Sequence, residues 1–449
     1  MELKKYKNRN KRKPYILIVI GFLLISISTY LFYESYALYE EFKDFDVING
    51  SVGDPGDIYF AYYIDGEISR EIPSQNIGYT LNETKSNCNN NATVTWDNAS
   101  WEAKVNYKNY SAITNTRTKC TLYFNKTAKT VSTVLGNIEV NSYTPDFTKS
   151  ACDDSSCESH EKGIYETTDY DGNPTYYYRG SVENNYVKFA GYYWRIIRIN
   201  SNGSIRMIYD GTSAHSNGEV SEDRQYGISQ FNITYTDNMY LGYMYTQGNA
   251  HGTNISSAIK NNNDKFYSDN LINYTSKLDS NTGYCNDRSA LNLQSGIGTG
   301  SIITYNKGYL RIENGTPILS CENNLDYYTV LNATSGNKAL SYPIGLITAD
   351  EVMLAGYASG IFNGSYNSSK ANVKNYLTTG TSFWTLTPAG GYNPYGVEHW
   401  GTSIFLVHGA GFFDDIYAHD AYGLRPVINI RSDVSITGSG TMTDPYVVN

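Results

Sequence analysis

The run Tyr15 to Tyr33, YILIVIGFLLISISTYLFY, carries no charge and constrains this chain more than any other segment. As a helix it would reach about 28 Å at ~1.5 Å per residue, close to the roughly 30 Å hydrocarbon core of a bilayer. Lys4, Lys5, Lys7, Arg9, Lys11, Arg12 and Lys13 precede it, and Glu34, Glu40, Glu41, Asp44 and Asp46 follow it. That asymmetry puts the N-terminus in the cytoplasm and everything after Tyr33 outside. Two rival readings are weaker. A cleaved signal peptide wants a shorter apolar core and a small-x-small site, which Ser35-Tyr36-Ala37 matches poorly. A pilin-type leader cut at Gly21-Phe22 wants a glutamate five residues on, where Ser26 stands. The sequence therefore predicts a basic cytoplasmic tail (1–14), a single-pass anchor in the cell membrane (15–33) and an acidic linker (34–56), with the rest extracellular.

What lies beyond the linker reads as ordered. Charged residues make up 18% of the chain and aromatics 14%, too few and too many respectively for disorder. A net charge of −9 argues against nucleic acid, whose phosphates call for a basic surface. Six cysteines (Cys88, Cys120, Cys152, Cys157, Cys285 and Cys321) suit disulfides in an exported chain. Nearest neighbours would join 88 to 120, 152 to 157 and 285 to 321, although fifteen pairings exist and reduced, buried cysteine is the alternative. A zinc knuckle fits less well, because CDDSSC has the wrong spacing and no second ligand pair follows.

Residues 57–127 alternate short aromatic or β-branched runs with turns at Asp65-Gly66, Pro73-Ser74 and Asp97-Asn98, which predicts a small antiparallel, sandwich-like β module. Trp96 and Trp101 are most simply its core. A connector (128–149) leads to a larger segment, 150–449. There Tyr192–Ile199 and Ser204–Tyr209 flank Asn200-Ser201-Asn202-Gly203, a strong hairpin signal. Ile255, Ile259, Phe266 and Leu271 share a helical face, and Thr348 with Glu351 forms a capping box that opens a helix closed by Gly356. The fold class is α+β: few helices in a mainly antiparallel frame.

The stretches YYYRGSVENNYVKFAGYYWRIIRINSNGSIRMIYDG, GYCNDRS, SYPIGLITADEVMLAG, SFWTLTPA and YGLRPVINI occur in this order between Tyr176 and Ile430. In them the chain resembles a family of uncharacterised exported proteins of gut Firmicutes and related wall-less bacteria. Residues 57–127 look like the β module that often precedes that domain. The Phe383-Trp384-Thr385 strand and the Gly423-Leu424-Arg425-Pro426 strand are also similar to the C-type-lectin-like group, which includes formylglycine-generating enzymes. This resemblance implies a lectin-like head, and a fold of that kind tolerates many functions.

Catalytic motifs are missing from the sequence. His160, His215, His251, His399, His408 and His419 show no metalloprotease spacing, and there is no G-x-S-x-G, Walker or Rossmann fingerprint. Formylglycine generation uses a late cysteine pair, and none follows Cys321. His399, His408 and His419 could converge with Asp414, Asp415 and Asp420, although scattered surface positions explain them better. Asp287-Arg288 reads as an ion pair bracing a turn, Glu351 as a cap, and Arg425 as a bidentate contact fixing the last strand. No cofactor is expected. DYDGNP at 169–174 has the flavour of a calcium loop but lacks the later ligands, so calcium is the one ion worth testing.

Trp384 to Tyr422 mixes Tyr, Phe, Trp and His with Gly, Asn and Asp, the composition of a recognition surface. In lectin-like folds the ligand face lies in the corresponding loops. Tyr392, Tyr395, His399, Trp400 and His408 are therefore the expected ligand-binding residues, for a glycan or a host or envelope protein. The reading is a non-enzymatic, adhesin-type surface protein. The alternatives are an extracellular enzyme without a recognisable motif and a structural component of an envelope or pilus-like assembly.

Overall fold

The computed structural model describes residues 58–449 apart from 65, 74–78, 98–99, 108–117, 127–128, 131–138, 170–171, 292–304, 333, 360, 363–364, 367–370 and 391–401. The proposed anchor and linker lie outside the described residues. Among the described ones no helix is long and apolar enough to cross a membrane. The chain divides into two compact units, Met1–Thr127 and Ala128–Asn449.

In the first unit a five-stranded sheet is built on Thr118–Lys126, which pairs with Ile58–Ile64, Tyr79–Leu81 and Asn87–Cys88. A separate hairpin joins Ala92–Asp97 to Glu102–Tyr107. Its inward residue Val94 meets Leu122 and Phe124, and Trp96 packs edge-on to Phe124 at 5.0 Å between ring centroids. Trp101 sets its edge against Trp96 at 5.2 Å and donates its indole N–H to the Pro73 carbonyl at 2.7 Å. Both tryptophans thus pack on the module's core. One expectation needs correcting: Ile58–Ile64 runs parallel to Thr118–Lys126. A parallel pair needs a long crossover, and the intervening strands supply it. Cys88 and Cys120 face each other across the sheet and form a disulfide.

The second unit is also sheet-rich. Its larger sheet runs in the order Val427–Ile430, Ile205–Gly211, Tyr192–Ile199, Tyr186–Phe189, Tyr446–Val448, Ser435–Thr437 and Lys129–Thr130. Pro174–Arg179 pairs with Tyr192–Ile199 and with Gly163–Thr168. A five-stranded sheet places Phe383–Gly390 between Ala421–Gly423 and Ser403–Val407, with Ile228–Gln230 and Phe413–Tyr417 at its edges. One apolar core serves both sheets, with Trp194, Met207, Phe266, Leu346, Trp384 and Ile428 among its buried members. Burying aromatics of this size dominates the stabilisation.

The three α-helices among the described residues are short. Helix α1 (Ala258–Asn270) starts at Ser257, whose hydroxyl accepts from the Lys260 N–H, and buries Ile259 and Phe266. Leu271, its C-cap, is buried as well, whereas Ile255 precedes the helix and is exposed. Helix α2 is Lys307–Asn314, ended by left-handed Gly315. Helix α3 (Ala349–Leu354) carries the complete Thr348/Glu351 capping box. Asn200–Gly203 closes the 192–211 hairpin, with Gly203 at φ +79°, where a side chain would be strained. Disulfides join Cys152 to Cys157 and Cys285 to Cys321, the nearest-neighbour pairs. Asp154 lies beside the first of these bonds, but oxidised sulfurs offer no thiolate to a metal.

Candidate binding site

Tyr392, Tyr395, His399 and Trp400 lie outside the described residues. His408 belongs to the turn between Ser403–Val407 and Phe413–Tyr417. Its ring stacks on Phe412 at 4.3 Å, and its Nδ1 accepts from the Ala410 N–H at 3.1 Å. His419 stacks on Tyr235 at 3.9 Å beyond the other end of the same hairpin, where Ser403 pairs with Tyr417. The register thus keeps these two histidines a strand's length apart. Asp414 and Asp415 sit within that hairpin, not in a loop. Trp384, Phe405 and Phe413 are buried, so a share of the aromatic richness of this stretch is core.

Two further expectations are corrected. Arg288 pairs with Asp326 at 2.7 Å and Asp287 with Arg311 at 2.8 Å, so the sequence neighbours do not pair with each other. Arg425 gives Asp210 one bond of 2.8 Å and the carbonyls of Tyr209 and Leu377 the others, so it is not bidentate to a carboxylate. In DYDGNP, Tyr170 and Asp171 lie outside the described residues, and the Asp169 carboxylate accepts the Asn173 N–H at 2.9 Å.

Among the described histidines, His215 comes nearest to a catalytic arrangement. Its Nδ1 lies 2.8 Å from Glu219 and its Nε2 3.3 Å from the Ser213 hydroxyl. Yet Nε2 is closer still to Asp223, at 2.7 Å. A ring nitrogen held by a carboxylate is a poor acceptor for a serine proton. The cluster braces the 212–223 loop instead.

The unexpected feature is a polar cleft beside the 192–211 hairpin. Arg198 and Arg206 are direct cross-strand partners, and two like charges so placed repel. Glu351 from α3 resolves this: Oε1 lies 2.8 Å from Arg198 Nε and 2.5 Å from Arg206 Nε. Burial opposes its ionisation, but the two guanidiniums and the Thr348 N–H outweigh that and hold its pKa below the ordinary value. Arg206 also donates to the carbonyls of Gly283 and Leu346, at 3.2 Å each. Arg198 does not. Among the described residues its Nη1 and Nη2 have no hydrogen-bond partner, although it is only 8% exposed.

Arg198 lines an open cleft of about 650 Å³ together with Asn200, Ser201, Asn202, Thr282 and Tyr327. Asp169, Asn332 and Ser335 complete its polar wall. A narrower recess of about 380 Å³ shares Arg198, Leu319 and Tyr327 with it and reaches Asp287, Arg311 and Asp350. The Asn200 amide is 5% exposed and gives its N–H groups to Ser204 Oγ (2.8 Å) and Asn429 Oδ1 (3.1 Å), while its Oδ1 has no partner. Asn202 is held by Asp279 at 2.7 Å, so the turn is braced from below. Gly283 allows Tyr327 to close in: a Cβ there would stand 2.6 Å from the Tyr328 carbonyl and 2.9 Å from Tyr327 Cζ. The Gly283 N–H donates to the Tyr327 hydroxyl at 2.9 Å, leaving that hydroxyl's own proton free to be donated.

The cleft thus offers a fork of donors and a ring of neutral polar groups on a rigid sheet, with the unpartnered Asn200 Oδ1 buried behind them. No protein-family model, curated protein or solved structure matches the chain.

Proposed function

We propose that this chain is a single-pass bacterial surface protein whose second unit is an extracellular, lectin-like head that binds a ligand without transforming it. The observation that carries the reading is the Arg198 guanidinium, which lines an open polar cleft and whose two Nη atoms have no hydrogen-bond partner among the described residues. Such a group on a rigid sheet suits recognition, because an arriving ligand can accept from it without reordering the protein. The three disulfides fit an oxidising, extracellular compartment. The anchor, the cytoplasmic orientation of the tail, the lectin-like likeness and the partner, a glycan or a host or envelope protein, are part of the proposal.

The test is an array of glycans and matrix proteins probed with the full chain in detergent, with and without calcium. Saturable binding is the expected outcome. An alanine series over Tyr392, Tyr395, His399, Trp400 and His408 then asks whether the 388–422 face contributes. Turnover of a polysaccharide would favour an enzyme instead, and reduction-sensitive multimers would favour an assembly component.

A further inference from the structure

We infer that the cleft beside Asn200–Gly203 takes an uncharged carbohydrate unit, held by Arg198 and the neutral side chains around it, with no metal ion. This rests on the ligand-binding reading and names the ligand class for it. The choice follows from the charges. Arg198 and Arg206 share one carboxylate, Glu351, through contacts of 2.5–2.8 Å, which leaves one formal positive charge. Asp169 lines the cleft and Asp279 lies behind Asn202, so the formal charge around the cleft sums to one negative. An acidic sugar, a phosphate or a sulfate would satisfy Arg198 but meet this excess.

An uncharged sugar avoids that penalty. Each of its hydroxyls donates and accepts, so one can accept from Arg198 while others pair with the neutral groups around it. Ser201, Asn202, Thr282, Asn332 and Ser335 supply further neutral partners around the ring, and Leu319 and Tyr327 supply the apolar part of the lining. A protein-docking site would have needed a broad exposed apolar surface, and the lining of this cleft is mostly polar.

The experiment measures binding of the full chain in detergent to neutral trisaccharides of glucose, mannose, galactose and N-acetylglucosamine. Trigalacturonate and the neutral peptide Gly-Ser-Asn serve as controls, at low and high salt and with EDTA. At least one neutral trisaccharide should bind, unaffected by EDTA and nearly insensitive to salt. Ser201→Trp should abolish that binding, since Ser201 is exposed at the cleft and its hydroxyl makes no hydrogen bond among the described residues. Arg198→Lys keeps the charge beside Glu351 but loses the fork, and should weaken binding about tenfold or more. Tighter binding of trigalacturonate or of the peptide overturns the ligand class while leaving the binding function intact. Unchanged sugar binding by Ser201→Trp overturns the location. If no array ligand and none of these probes binds, both readings fall together.

Discussion

Two groups of buried arginines in the second unit make a controlled comparison. In one, Asp210 serves Arg224 and Arg425 at 2.8 Å each, with Arg195 at 3.9 Å. Three cations share one carboxylate, yet every guanidinium nitrogen has a partner. Arg224 donates to the carbonyls of Glu219, Tyr376 and Thr378. Arg195 donates to Asn185, Val182, Asn217 and, at 3.5 Å, the His215 carbonyl. Burial still lowers the Arg425 pKa to about 10, with Asp210 offsetting part of the effect. In the other group Glu351 serves two arginines, a better charge ratio, and yet Arg198 keeps two nitrogens unspent. Charge count therefore does not separate the two groups; the hydrogen bonding of their guanidinium nitrogens does. The Asp210 group is occupied in tying strands to loops, whereas the Glu351 group has capacity left over on the side that opens to a cleft.

The largest test of that contrast is Asp210→Asn. It leaves three buried cations without their counter-charge, and should cost about 3–5 kcal/mol in chemical denaturation. A loss under about 1 kcal/mol would mean the carbonyl ligands suffice alone. Next comes Gly283→Ala, which drives a methyl into the Tyr328 carbonyl and the Tyr327 ring. Overpacking of this kind should cost about 1–3 kcal/mol and displace Tyr327, so sugar binding should fall with stability. Arg198→Met sharpens the contrast further. Arg206 still neutralises Glu351, and the substitution removes no satisfied hydrogen bond other than the one from Nε. Stability should move by no more than about 1 kcal/mol while binding is lost, whereas Arg425→Met should cost several times more. Equal losses for the two variants would erase the distinction.

Much of the frame was legible because its signals are local. Asn200–Gly203 between two β-branched runs marked the hairpin, Thr348 and Glu351 marked the start of α3, and the cysteines paired with their nearest neighbours. Long-range pairing was not. Ile58–Ile64 lies parallel to a strand some fifty residues on, and nothing in either run encodes that partner. Arg288 and Arg311 likewise found carboxylates 38 and 24 residues away. The cleft was half legible. Counting outward from the predicted turn places Arg198 opposite Ile205. The observed turn is one residue shorter, with Asn200 bonded to Ser204, and sets Arg198 opposite Arg206. Two facing arginines in an apolar hairpin call for a hidden acid. That acid is Glu351, 153 residues away from Arg198, whose role seemed complete as a helix cap. The aromatic stretch after Trp384 carries the louder sequence signal, because burial and recognition favour the same residue types.

The smallest effect concerns the loop that closes over the Asp210 group. Glu219 is held to about 2, below its ordinary 4.5, chiefly by His215 and then by Ser216. Asp223 also sits at about 2, below 3.8, because hydrogen bonds from Ser221 and Thr212 and the nearby His215 outweigh its burial. Both folded values lie below the unfolded ones. The stabilisation is therefore complete above about pH 4.5 and fades as pH falls towards 2. Glu219 is 42% exposed, so solvent screens much of this and the effect should be modest. Its consequence is structural, because the Glu219 carbonyl accepts from Arg224 at 2.7 Å and the His215 carbonyl from Tyr186 at 2.8 Å. Thermal melts of Glu219→Gln and the parent chain should differ at neutral pH and converge between pH 4.5 and 2. Parallel curves throughout would show that the carboxylate contributes nothing to the loop. Convergence without any change in sugar affinity above pH 5 would show that the Asp210 group and the cleft answer to different parts of the chain.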